Sequence, residues 1–189
     1  MKSKLFLTVI LAAALSACGG GGGDTTSVVS PGSSTLSGVA ATGRLMVAGT
    51  PVVAMDRTGK TVRTTVDAQG QYTLDASGMS FPILLKATES DQSLYSVVAN
   101  SSEATGKINI NQLTHMAVVG LLGDGSPSTI ESEFHASDAA AKLTADLLHA
   151  AALSALSQLP ESVLTASGLL RSSLRDIRTQ ADFQVGVAE

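Results

Sequence analysis

The sequence predicts a mainly β plus α protein, a small seven-stranded antiparallel β-sandwich followed by a C-terminal helical segment. Two patterns predict it. Between about residues 35 and 110 apolar residues alternate with polar ones and are interrupted by turn residues; after Ile110 the apolar spacing becomes helical. A third observation limits how such a fold is held together: Cys18 is the only cysteine in 189 residues, so no disulfide can form within the chain and burial must stabilise it.

Taken from the N-terminus, Lys2 and Lys4 form a basic start and Leu5 to Leu15 an uncharged apolar run. That run has the length of a signal-peptide core and is too short to span a bilayer. It ends in Leu15-Ser16-Ala17-Cys18, where small residues leave the backbone accessible to a peptidase. The pattern resembles the lipobox of bacterial lipoproteins. The resemblance implies a lipoprotein signal peptide over 1–17, cleavage before Cys18, a diacylglyceryl thioether on its sulfur and a further acyl chain, such as palmitate, on the new amino terminus. Each buried methylene contributes about 0.8 kcal/mol, so several chains anchor stably where one does not. An ordinary secretory signal would instead leave an exposed unpaired thiol in an oxidising compartment.

Residues 18–34 comprise this lipidated cysteine and a Gly/Ser-rich tether. Gly19 to Gly23 and the Gly-, Ser- and Thr-rich stretch to Ser34 are too poor in apolar residues to offset their own ordering entropy. Such a coil spans roughly 20 to 25 Å, which keeps the folded part of the chain close to the membrane. A phosphate-binding glycine loop would need a strand before it and a helix after it, and neither is predicted.

The segment 35–110 carries the strands, expected at roughly 36–41, 50–55, 60–66, 71–75, 81–89, 93–99 and 106–110. Val62, Thr64 and Val66 alternate with Thr61, Arg63 and Thr65; Tyr72 and Leu74 alternate with Gln71 and Thr73; Phe81, Ile83, Leu85 and Ala87 alternate with Leu84, Lys86 and Thr88. Between them stand Asp56-Arg57-Thr58-Gly59, Asp67-Ala68-Gln69-Gly70, Ala76-Ser77-Gly78, Ser90-Asp91-Gln92 and Ser101 to Gly106, all rich in turn-forming residues. In the second of these turns Asp67 is placed to cap, Gly70 to take positive φ, and Tyr72 to point into the core.

Gly38-Val39, Gly49-Thr50-Pro51-Val52-Val53 and Thr65-Val66-Asp67-Ala68-Gln69-Gly70-Gln71-Tyr72-Thr73-Leu74 together resemble the carboxypeptidase regulatory-like domain. The match departs from that family's Thr-Asp-x-x-Gly-x-Tyr hairpin by one residue, Val66, inserted between Thr65 and Asp67. The resemblance implies a transthyretin-like, or prealbumin-like, sandwich. Such domains accompany many catalytic partners and usually catalyse nothing, so the implication concerns architecture more than activity.

Residues 111–189 form the helical segment. Leu113, Met116, Ala117, Gly120 and Leu121 make one stripe while Val118, Val119 and Leu122 fill the opposite side, which predicts a helix buried on two sides, capped by Asn111 and stopped at Gly123. A short turn through Ile130 to Phe134 follows the loop Gly123–Ser128. Ser137 is then expected to cap one long helix to about Leu159, with Leu147, Leu148, Ala151, Ala152, Leu156 and Leu159 on its apolar face and Lys142, Asp146, His149 and Ser157 opposite. Pro160 ends it and opens another helix carrying Val163, Leu164, Leu169, Leu170, Leu174 and Ile177. Such wide apolar faces require a partner: the sandwich, another copy or another protein.

Residues that carry chemistry are sparse. His115, His135 and His149 lack the i, i+4 spacing that places two imidazoles on one metal. Asp146 and His149 are close enough to touch but share a polar face with Lys142, which reads as solvated helix surface; His115 falls among apolar residues and reads as a satisfied packing residue. No serine lies in Gly-x-Ser-x-Gly or Ser-x-x-Lys. Asp56 and Asp67 lack the dense carboxylates of a calcium loop, and Arg171, Arg175 and Arg178 make a basic stripe better suited to a solvated or partner-facing edge than to nucleic acid.

Composition agrees. The chain has 12 basic and 16 acidic residues; losing Lys2 and Lys4 with the signal leaves 10 against 16, a balance of −6 that disfavours nucleic acid. Aromatic residues are 3% and Trp is absent, so stacking platforms for sugars or bases are few. The sequence therefore points to a lipid-anchored cell-envelope protein that is not an enzyme, has no catalytic, metal or cofactor residues, and has Cys18 as its one site residue, the lipidation point. Its partners are the membrane through Cys18 and an envelope protein or glycan, with no nucleic acid. Gly19, not Asp, follows Cys18, which by resemblance to Gram-negative lipoproteins favours the outer membrane. A carbohydrate-binding module and an accessory subunit of an envelope enzyme are the alternatives.

Overall fold

A computed structural model describes residues 34–123 and 127–160. Cys18, the expected signal peptide, almost all of the expected tether, the helix expected after Pro160 and the arginine stripe lie outside the described residues. The described chain is mixed β plus α, with six strands in two antiparallel sheets followed by short helices. The strands are β1 (Thr35–Val39), β2 (Pro51–Asp56), β3 (Thr61–Thr65), β4 (Gln71–Asp75), β5 (Ile83–Glu89) and β6 (Gln92–Val98). β1 pairs with β4, and the larger sheet runs β3-β2-β5-β6.

The expected seventh strand, 106–110, is not one. Its alternation is real, since Ile108 and Ile110 are fully buried, but it touches β1 and the residue after β1 only through isolated parallel bridges, Ser37 with Lys107 and Ala40 with Ile110. Between them the side chain replaces the main chain: Asn109 Oδ1 accepts the Val39 N–H at 3.2 Å. Backbone bonds from Ile108 N to Ser37 O (2.8 Å) and Ile110 N to Val39 O (2.9 Å) complete the seam. Gly38 makes it possible, because the Ile108 carbonyl oxygen lies only 1.8 Å from where a Cβ would stand.

The turns form as their residue types require. Asp67 Oδ1 accepts the N–H groups of Gln69 and Gln71, both at 2.8 Å, and Gly70 takes φ 72°. Tyr72 is buried and donates its hydroxyl to the Ile108 carbonyl. Asp56, 1% exposed, does more: its carboxylate accepts Thr58 N–H and Oγ1–H, Lys60 N–H and Ser80 N–H at 2.7 to 2.9 Å. Burial alone would raise its pKa, but these four donors together hold it below the ordinary carboxylate value. Both carboxylates are engaged in organising their own turns.

Side chains of the two sheets share one core, with Leu36, Tyr72 and Leu74 from β1 and β4 joining Val52, Ala54, Ile83, Leu85 and Leu94 from the larger sheet. Strand alternation sends the other residues of the larger sheet to its opposite face. There Leu84, Tyr95 and Val97 meet a second core formed with the helices.

The first helix, α1 (Gln112–Leu122), is capped as its sequence requires: Asn111 accepts the N–H groups of Leu113 and Thr114, and Thr114 Oγ1 accepts the Asn111 N–H. Gly123 closes it. A 3₁₀ turn at 127–129 leads to α2 (Ile130–Phe134), a single turn that buries Ile130 and Phe134. The expected long helix is instead two, α3 (Ala139–Lys142) and α4 (Ala145–Ser157). Ser137 does not begin it; Asp138 precedes α3 and Thr144 caps α4, its hydroxyl accepting the Leu147 N–H at 3.3 Å. Leu143, at the break, and Leu148 of α4 both enter the core beneath the helices.

Candidate functional site

The helices leave part of the outer face of the larger sheet uncovered, a hollow that spans β3, β2 and β5. It is lined by Pro51, Val53, Met55, Thr61, Arg63, Leu84, Lys86, Thr88 and Glu131 and encloses about 230 Å3. Strand register creates it. Val53 stands directly opposite Arg63 on one neighbour and Lys86 on the other, and Lys86 stands opposite Tyr95, so Arg63, Val53, Lys86 and Tyr95 form one row across four strands. Met55 is likewise flanked by Thr61 and Leu84, which extends the apolar floor.

The wall is supplied by α2. Glu131 Oε1 sits 2.6 Å from Lys86 Nζ and accepts the Tyr95 hydroxyl at 3.1 Å. The hydrogen bond from Lys86 chiefly holds the Glu131 carboxyl below its ordinary pKa; burial opposes this, and the charge of Lys86, the Tyr95 bond and the charge of His135 assist. Burial pushes the Tyr95 phenol up, and Glu131 adds to the shift through its charge and hydrogen bond. Tyr95 is therefore a fixed donor and Glu131 a fixed anion. Thr114 ties α1 to the same strand by donating to the Tyr95 carbonyl at 2.9 Å.

His115 stacks on Tyr95, with centroids 5.7 Å apart and planes 22° from parallel. It is only half-buried, and its Nδ1 has no hydrogen-bond partner, so it is a packing residue but not a satisfied one. Its burial lowers its pKa. Asp146 and His149 make no hydrogen bond or ion pair with each other, and Lys142 lies on the other side of the helix break, paired with Asp138 at 2.9 Å. The polar face expected to hold all three is thereby divided. His135 Nε2 lies 3.1 Å from Met55 Sδ.

Lys86, Arg63 and Glu131 were not singled out by the sequence as site residues. The available signal was Leu84: a large apolar residue on the supposedly solvent-facing side of β5 marks a second covered face, and hence a boundary where cover ends. A further hollow, about 310 Å3, runs between α1 and α4 and includes Met116, Gly120, Leu121, Leu147 and Ala151. Leu147 is 43% exposed there, whereas Leu148 is fully buried.

Among the described residues no group of three or more His, Cys, Asp or Glu side chains is placed to hold a metal ion, and no helix is long and apolar enough to cross a membrane. Comparison of the chain with known protein families, with characterised proteins and with solved structures finds no match.

Proposed function

We propose that this chain is a lipid-anchored cell-envelope protein of the Gram-negative outer membrane, whose β-sandwich is a non-catalytic binding or structural module. The observation that carries the anchoring is the sequence from Lys2 to Cys18: a basic start, an uncharged apolar run and Leu-Ser-Ala-Cys. The sandwich reading is supported by the single core shared between the two sheets. Its resemblance to the carboxypeptidase regulatory-like domain is supported by the Asp67–Gly70–Tyr72 turn, which has the capping bonds, positive φ and buried ring that the motif needs. The groove beside Lys86 and Glu131 is the binding face. Its floor of Pro51, Val53, Met55 and Leu84 has no aromatic ring on which a sugar could stack, which favours a protein or small-molecule partner over a glycan.

The anchor is tested in cells fed labelled palmitate. The wild-type chain takes up label and fractionates with membranes, whereas Cys18→Ser loses the label and is released as soluble protein. Retention of both label and membrane association by Cys18→Ser refutes the assignment.

A further inference from the structure

We propose that the groove above β2 and β5 binds a small amphipathic monoanion, its carboxylate held between Arg63 and Lys86 above Val53 and its apolar body laid along Pro51 and Met55, which Leu84 backs from the core. The proposal rests on the binding-module reading and adds the class of ligand.

The charge in the hollow is unbalanced. Two cations and one carboxylate line it, and Glu131 is already committed to Lys86 at 2.6 Å and to the Tyr95 hydroxyl. The Arg63 side chain makes no ion pair or hydrogen bond with any described residue. One positive charge is therefore left facing an apolar floor, on a chain whose overall balance is acidic. A single negative charge is the complement.

Register fixes where that charge would sit. Arg63 and Lys86 flank Val53 on either side, so their Cα atoms are two strand spacings, roughly 9.5 Å, apart. Both side chains are long enough to reach inward over the shorter Val53. A carboxylate above Val53 meets the guanidinium fork, which suits two oxygens in one plane, and the ammonium from the opposite side. Lys86 keeps Glu131 as its second partner, and this carboxylate limits the site to one added negative charge.

The rest of the hollow sets size and character. Its volume of about 230 Å3 lies below the usual range for drug-sized ligands, so the occupant is small. Pro51, Val53 and Met55, backed by the buried Leu84, offer only aliphatic and thioether surface, and Thr61 and Thr88 supply hydroxyls at its margins. The floor rewards an alkyl body and the row of cations rewards an acid at one end. Neither feature alone selects the ligand.

The test is a titration of the full chain carrying Cys18→Ser, followed through the methyl resonances of Val53, Met55 and Leu84, with octanoate, octanol, octylamine and inorganic phosphate as probes. Octanoate is expected to give saturable shifts in all three residues, with octanol, octylamine and phosphate at least tenfold weaker. Arg63 is exposed, so Arg63→Gln keeps the fold, and it should weaken octanoate roughly tenfold while leaving octanol unchanged. Equal binding of octanoate and octanol overturns the proposal, although it leaves the groove as a binding face. Equal binding of phosphate overturns the role of the floor, and absence of any saturable shift overturns the site. None of these outcomes bears on the palmitate labelling, so the anchor and the groove stand or fall separately.

Discussion

Gly38→Ala offers the sharpest test of how the sheets and the 106–110 segment are joined. A Cβ at this position would lie 1.8 Å from the Ile108 carbonyl oxygen and 2.6 Å from its carbon. An ordinary carbon-to-oxygen contact needs about 3.3 Å, so the two backbones must separate by about 1.5 Å. Such a shift disrupts the whole seam: Ile108 N to Ser37 O, Ile110 N to Val39 O, Ala41 N to Ile110 O, Val39 N to Asn109 Oδ1, and the Tyr72 hydroxyl to Ile108 O. At about 1 kcal/mol each these bonds total about 5 kcal/mol, and partial relaxation brings the expected loss to roughly 3 to 5 kcal/mol. Against a typical stability of about 5 to 15 kcal/mol this is a large fraction, equivalent to a fall in Tm on the order of 10 °C or more. Urea unfolding followed by circular dichroism measures it directly. Gly120→Ala serves as the control, since beyond the local backbone of α1 nothing lies within 4 Å of its added Cβ and α1 should gain up to about 1 kcal/mol. A Gly38→Ala loss below about 1 kcal/mol with an unchanged m-value refutes the reasoning.

Two more predictions concern buried polar groups. Asp56→Asn should cost about 2 kcal/mol at neutral pH, because the amide nitrogen must face one of the four donors that now converge on the carboxylate. Since the folded pKa of Asp56 is depressed, its stabilisation is fully present above the unfolded value near 4 and is lost as pH falls through the lower folded value. Denaturation measured from pH 7 down to pH 2.5 should show the gap between wild type and Asp56→Asn narrowing, and a constant gap contradicts the assignment. Asn111→Ala removes the acceptor for Leu113 and Thr114 N–H and should cost about 1 to 2 kcal/mol, read from thermal melts; Asn111→Asp should recover most of it.

Local chemistry was legible where one residue decides the outcome. Asn111 and Gly123 bound α1, Asp67 and Gly70 shape their turn, and Tyr72 enters the core, all from side-chain type and spacing alone. What was not legible depends on distant partners. The alternation of Ile108 and Ile110 has the period of a strand, but only the fold shows that Asn109 takes the Val39 N–H with its side chain. The apolar spacing from Ala139 to Leu156 fits a helix, but the chain leaves helical geometry at Leu143 and restarts behind the Thr144 cap. The groove is of the same kind. Arg63 and Lys86 are 23 positions apart in sequence and become neighbours of Val53 through register, and Glu131 reaches Lys86 from a single helical turn whose docking no local pattern specifies.

β5 belongs to both cores. Ile83, Leu85 and Ala87 fill the one between the sheets, while Leu84 between them fills the one beneath the helices. From Ile83 to Leu85 the strand is buried on both faces, and neither layer can be peeled away without wetting it. The two cores are therefore linked thermodynamically even though no side chain crosses the sheet: loosening α1 and α2 removes the cover from Leu84 and weakens the frame on which β1 and β4 rest. Slow amide exchange should concentrate in this one strand, the last part of the molecule to open.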